Sequence, residues 1–158
     1  MDADVQVLGR AVKQAQYRQH RALDSALGEV GTTLAQWDAL RAISGRPGAS
    51  ARELAAVTFQ SEQAFGALVG RLAAQGLVER RPGHGRRIEH RLTPTGEQTL
   101  TAGHQVSERV LEECFSPLPA ADRAALLGLL RQLNGEASPH QSDDASPRRD
   151  AEPLGQDR

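Results

Sequence analysis

A mainly α chain with one small β-hairpin is the fold class this sequence predicts, and three observations predict it. Aromatic residues make up 3% of the 158 residues, and β-branched residues are sparse beside Ala, Leu, Arg and Gln, a bias toward helix. Apolar residues recur at three- and four-residue steps, the spacing of one helix face. A strand, a turn-rich tip and a returning strand are legible in one place, between residues 77 and 93. At 17.0 kDa the chain fits one domain or one compact subunit, which excludes a large two-domain enzyme. Hydrophobic residues are 39% of the chain, and no apolar run approaches the roughly 18 residues that would span a bilayer, so no membrane partner is expected. The opening MDADVQVLGR lacks a basic segment followed by an apolar one, so a signal peptide is not expected and the cytoplasm is the expected location. One cysteine, Cys114, allows no internal disulfide and no zinc site of its own.

The first helix is expected from about Asp4 to Val30, with Val5, Leu8, Val12, Ala15, Leu23, Leu27 and Val30 on one stripe. Gly31-Thr32-Thr33 breaks it. Leu34, Trp37, Leu40 and Ile43 set out a second helix that ends at Gly45-Arg46-Pro47-Gly48, with Trp37 expected in the core. Ser50-Ala51-Arg52-Glu53 has the spacing of a capping box and opens a third helix that buries Leu54, Ala55 and Val57. Thr58-Phe59-Gln60 is a three-residue break. Ser61 then caps a fourth helix with Phe65, Leu68, Val69 and Leu72 inside, closed by Gln75-Gly76. Two short helices joined by a tight turn read as a helix-turn-helix.

Leu77 to Arg81 is expected as a strand, Pro82-Gly83-His84-Gly85 as a hairpin tip, and Arg86 to Thr93 as the returning strand. Thr93-Pro94 opens a long helix through Leu100, Val110, Leu111 and Cys114, because Thr caps well and Pro suits the first helical position. Pro117 and Pro119 punctuate. Leu126, Leu127, Leu129, Leu130 and Leu133 form a last helix stopped by Asn134-Gly135. Residues 135–158 hold one large apolar residue, Leu154, and are expected to be a disordered tail.

The formal net charge of −1 conceals an uneven spread. Residues 76–93 hold five Arg against Glu79 and Glu89, a local +3, whereas residues 135–158 hold six acids against three Arg, a local −3. A basic hairpin beside a helix-turn-helix points to nucleic acid. The acidic tail, with Asp143, Asp144, Asp150, Glu152 and Asp157, either competes with DNA for that hairpin or merely solvates the chain.

The order of elements resembles the MarR family of bacterial winged-helix transcription regulators. The matching residues are Leu34-x-x-Trp37-x-x-Leu40, Glu53-Leu54-Ala55, Leu68-Val69-x-Arg71-Leu72 with Gly76-Leu77-Val78-Glu79-Arg80, the pair Arg86-Arg87, and Leu92-Thr93-x-x-Gly96. Together they span residues 5 to about 134. The resemblance implies a winged helix-turn-helix over residues 34–93. It also implies a homodimer whose helical dimerisation region is built from residues 4–30 and 94–134. The hairpin departs from the family pattern at Gly85, which stands where the family has an Asp that buttresses the wing, and the tip is about one residue short. The helix from Ser61 to Leu68 carries no basic residue before Arg71, and Glu62 near its start repels phosphate.

For double-stranded DNA with a pseudo-palindromic operator, helical spacing puts Gln63, Ala64, Ala67 and Arg71 opposite Phe65, Leu68 and Leu72, toward a major groove. Gln63 can pair with adenine, Ala64 or Ala67 can touch a thymine methyl, Ser61 can donate to phosphate, and Arg71 suits the backbone. Ordinary solvation is the alternative for Gln63 and Arg71. On the wing, Arg87 first and Arg86 second are the candidates for a narrow minor groove, with Arg80 and Arg81 toward phosphates. The resemblance further implies a small aromatic or anionic effector, for which Tyr17, His20, Arg21, Trp37 and Arg41 could line a crevice. The alternative there is a core Trp37 and a surface His20.

Cys114 follows Glu112 and Glu113 on an apolar face, where a thiolate lacks positive support, so it is expected to be buried and structural. No nucleotide-binding, zinc-protease or hydrolase motif occurs, a metal site on His84 and His90 would lack two ligands, and no cofactor or enzyme activity is expected. The sequence therefore predicts a homodimeric DNA-binding regulator, most simply a repressor released by a small molecule. The alternative is a winged-helix protein-protein interaction module that has lost operator binding.

Overall fold

The structure is a computed structural model that describes residues 4–136. Its elements are α1 (Val5–Glu29), α2 (Leu34–Gly45), α3 (Ala51–Val57), α4 (Glu62–Ala74), β1 (Val78–Pro82), β2 (Ile88–Leu92), α5 (Pro94–Phe115) and α6 (Ala120–Leu133). They fall into two units, the first ending at Ser116 and the second beginning at Pro117. The tail expected after Gly135 lies, from residue 137 onward, outside the described residues. No described helix is long and apolar enough to cross a membrane.

Side-chain caps start five of the helices, because the first turn of a helix leaves backbone N–H groups without partners. Asp4 accepts from Gln6 N, Ser61 from Ala64 N and Thr93 from Gly96 N, while Thr33 with Gln36 and Ser50 with Glu53 form reciprocal capping boxes. Four of the described helices end in one motif, in which the third residue past the helix end donates back to the third-last helical carbonyl. The bonds are Thr32 to Leu27, Gln60 to Ala55, Leu77 to Leu72 and Glu136 to Arg131. The residue before each donor adopts a left-handed backbone, and these are Gly31, Phe59, Gly76 and Gly135.

The core of the first unit gathers Leu23 and Leu27 of α1, Trp37, Leu40 and Ile43 of α2, Leu54 of α3, Phe65, Val69 and Leu72 of α4, Val78 of β1, and Leu100 and Val110 of α5. Two glycines let α5 lie close to it. A Cβ at Gly96 would strike the Leu77 carbonyl oxygen, and one at Gly103 would strike Cδ1 and Nε1 of the Trp37 indole. The indole Nε1 donates to the Leu100 carbonyl at 3.4 Å. Thr93 joins α4, the hairpin and α5, since its hydroxyl donates to Gly76 O at 2.6 Å and its backbone N donates to Leu77 O.

The hairpin is antiparallel, from Val78 opposite Leu92 to Pro82 opposite Ile88. Both strand ranges are narrower or later than the sequence suggests. Leu77 is occupied in closing α4, and Pro82 tolerates the end of a strand in this two-stranded sheet, where a missing donor costs little. Arg86 and Arg87 stand in the tip, not in β2: Gly83 N donates to Arg87 O at 2.7 Å and Gly85 takes φ 67° to turn the chain.

The expectation of a buried Cys114 is wrong, for the thiol is exposed. The buried stripe of α5 runs through Gly96, Leu100, Gly103, Ser107 and Val110 and stops there. Beyond it a cleft of about 670 Å³ opens beside Cys114, lined from α1 by Arg18, Ala22, Ser25, Ala26 and Glu29, side chains too polar or too small to seal the helix pair.

Candidate nucleic-acid interface

The face of α4 that the core does not use is open. Phe65, Leu68, Val69 and Leu72 are buried, whereas Ser61, Gln63, Ala64, Ala67 and Arg71 are all exposed. The structure thus brings the five candidates onto one solvent-facing surface, because at 3.6 residues per turn the buried positions claim the opposite side. Glu62 is exposed in the first turn, where a carboxylate favours the helix dipole and disfavours an approaching phosphate.

The hairpin arginines are not equivalent. Arg87 turns back onto the body: its Nη2 donates to Glu53 Oε2 at 2.7 Å and to Gly48 O at 3.2 Å, and its Nε donates to Gly48 O at 3.4 Å. That guanidinium ties the tip to α3 and to the turn before it. Arg86 next to it is exposed. Arg81 pairs with Glu79 at 2.8 Å along β1, and Arg91 approaches Glu89 at 3.6 Å on β2. The exposed Arg80 reaches across to α4, where a Cβ at Gly70 would lie 3.3 Å from its Nη2.

Glu53 serves two structures at once. Its Oε2 accepts from Ser50 N and Ser50 Oγ, each at 2.7 Å, which completes the α3 cap, and from Arg87, which anchors the wing. The hydrogen bonds from Ser50, and then the charges of Arg87 and Arg46, hold the Glu53 carboxyl below the usual carboxylate range. A wing buttress therefore exists despite Gly85, built from Glu53 and Arg87. His90 adds a second tie, since its buried Nδ1 lies 3.2 Å from Ala49 O. A carbonyl only accepts, so that nitrogen carries the proton.

The residues suggested for an effector crevice gather as two pairs. Arg21 lies over the Tyr17 ring, 5.8 Å from its centroid, and donates to its hydroxyl at 3.3 Å. Arg41 lies 5.3 Å from the centroid of Trp37, which is buried, and pairs with Asp38 at 2.9 Å. His20 is exposed on α1. None of the five lines the cleft beside Cys114. Sequence reasoning missed Glu53 as the partner of Arg87, because 34 residues separate them. It also passed over Phe59, whose ring is 97% exposed in the turn between α3 and α4; an aromatic residue directly before a helix cap was the available signal.

A family model described as MarR family matches residues 30–88, which takes in α2 through the hairpin tip. A comparison with curated proteins finds no match. Among solved structures, a probable transcriptional regulator from Pseudomonas aeruginosa is similar at 28% identity with a TM-score of 0.72, covering 79% of this chain and 95% of its own. A mutant MarR from E. coli, complexed with operator DNA, is similar at 27% identity and a TM-score of 0.75, covering 80% and 92%. A MarR family protein of Mycobacterium tuberculosis in complex with salicylic acid is similar at 25% identity and a TM-score of 0.67, covering 84% and 97%. A helix-turn-helix with an anchored wing, framed by long helices, is thus similar over residues 30–88 to the MarR family model and over most of its described length to solved regulators of the winged-helix fold.

Proposed function

We propose that two copies of this chain bind a pseudo-palindromic stretch of double-stranded DNA and repress transcription until a small aromatic or anionic molecule changes the spacing of the two reading heads. The observation that carries this reading is the open face of α4, with Gln63, Ala64, Ala67 and Arg71, standing beside an anchored basic wing. The operator DNA in the E. coli MarR complex and the salicylic acid in the M. tuberculosis complex support it.

In this reading residues 34–93 read DNA. Gln63 meets adenine, the alanines meet thymine methyls, and Ser61, Arg71, Arg80 and Arg81 meet phosphates. Arg86 takes the minor-groove position and Arg87 holds the tip in place, a reversal of the sequence-based order, because the guanidinium of Arg87 is already engaged by Glu53 and Gly48. Residues 4–30 and 94–134 dimerise. The stripe on α1 is exposed at Val5, Leu8 and Val12, and α6 exposes Leu127, Leu129 and Leu133, apolar surface that a second copy would remove from water. An effector would act through Tyr17, His20, Arg21, Trp37 and Arg41, and quenching of Trp37 fluorescence would report it.

Selection of bound fragments from random DNA tests the proposal. An enriched inverted repeat is expected, and its affinity should fall steeply with salt. Arg71, Arg80 and Arg81 from two copies imply about six phosphate contacts, hence a loss of roughly a thousandfold between about 50 and 200 mM salt. Weak binding without sequence preference would instead favour the protein-protein interaction module.

A further inference from the structure

We propose that Phe59 is a DNA-contacting residue, its ring seated on the deoxyribose and thymine-methyl surface at the groove edge beside the start of α4. The inference rests on the DNA-reading role proposed above and adds a residue to it. Four described helices close through the same backbone motif, and three of them place glycine at the left-handed position, Gly31, Gly76 and Gly135. At the end of α3 that position is Phe59, with φ 55°. Glycine adopts this backbone freely, whereas a side chain with a Cβ crowds the neighbouring carbonyl, so a bulky residue there is rare and destabilising.

Packing within the chain does not compensate, because the ring is 97% exposed. Phe59 thus combines a strained backbone with an unburied aromatic side chain, and the free subunit would be better served by glycine on both counts.

Its position says what would cover the ring. Phe59 lies two residues before Ser61, the cap of α4, and the exposed Gln63 and Ala64 follow directly. In helix-turn-helix docking the first residues of the second helix reach base edges, which brings the preceding turn to the wall of the groove. The uncharged surface available there is deoxyribose carbon and thymine methyl. Val57 to Ser61 carries no charge, so nothing in the turn itself repels the backbone.

The test compares the full chain with Phe59→Gly and Phe59→Leu, using duplexes that the unaltered chain enriches from random DNA. Phe59→Gly should melt at the same temperature or higher, because strain and exposed apolar surface both disappear. Its DNA affinity should fall about tenfold, the worth of a half-buried aromatic ring, with Phe59→Leu in between. The slope of log affinity against log salt should not change, since no charge is removed. A Phe59→Gly chain that binds within twofold of the unaltered one would overturn the inference, as would one that melts lower. If the unaltered chain enriches no duplex, the DNA-reading role fails first and takes this inference with it, a result distinct from an unaffected variant.

Discussion

Replacing Gly103 by alanine tests the way α5 is mounted on α2. The three atoms nearest a Cβ at that position all belong to the Trp37 indole, two of them well inside van der Waals contact. The indole has little room to yield: it is 6% exposed, it donates to Leu100 O, it meets the His104 ring edge-on at 5.3 Å, and Arg41 covers it. Overpacking of a tight core costs about 1–3 kcal/mol, and this overlap belongs at the upper end. Alanine is also a better helix former than glycine by about 1 kcal/mol, which offsets part of the cost. A net loss of about 2 kcal/mol remains, or about 6 °C in Tm for a chain of this size. Gly9→Ala is the control, because a Cβ there meets nothing within 4 Å and only the propensity gain remains. Thermal unfolding followed by circular dichroism and by the fluorescence of the single tryptophan, at one fixed protein concentration, gives both numbers. If Gly103→Ala melts at or above the unaltered chain, the close seating of α5 on Trp37 is wrong.

Further predictions concern the wing and the proposed dimer. Arg86→Ala should weaken DNA binding and reduce the salt slope by about 2, one contact from each copy, while leaving the melting temperature unchanged. Arg87→Ala should instead release the tip, which limited proteolysis between residues 83 and 87 would detect; an uncut Arg87→Ala chain would argue against the anchor. Because the folded Glu53 carboxyl titrates lower than in the unfolded chain, its contribution to stability is present above the ordinary carboxylate range and is lost as pH falls through the lowered value. The stability gap between the unaltered chain and Glu53→Gln, measured by melts from about pH 6 to about pH 3, should therefore narrow toward acid; a constant gap would count against the Glu53 ion pair. Joint replacement of Leu8 and Val12 by Glu should leave the subunit folded, since both are largely exposed, and convert dimer to monomer in sedimentation. A dimer that survives would move the interface elsewhere.

Local chemistry made much of this protein legible. The capping pairs Thr33 with Gln36 and Ser50 with Glu53, the Thr93-Pro94 start and the Gly31, Gly76 and Gly135 stops act within a few residues, so helix boundaries followed from short spacings. The inward face of α4 followed from periodicity, and with it the open face proposed above to meet DNA. Contacts between distant segments decided the rest. Which hairpin arginine is available depends on Glu53 and Gly48, brought near by the packing of α3 against the hairpin, and no local rule connects residues 53 and 87. Cys114 continues an apolar pattern along α5, yet its burial depends on what α1 places nearby, and the small and polar α1 residues lining the cleft, Arg18, Ala22, Ser25, Ala26 and Glu29, leave it open. Sequence by itself determined which segments become helix and hairpin, because caps and periodicity act over one or two turns. Only the tertiary structure decided which side chains are occupied and which are available, because that depends on neighbours brought together by folding.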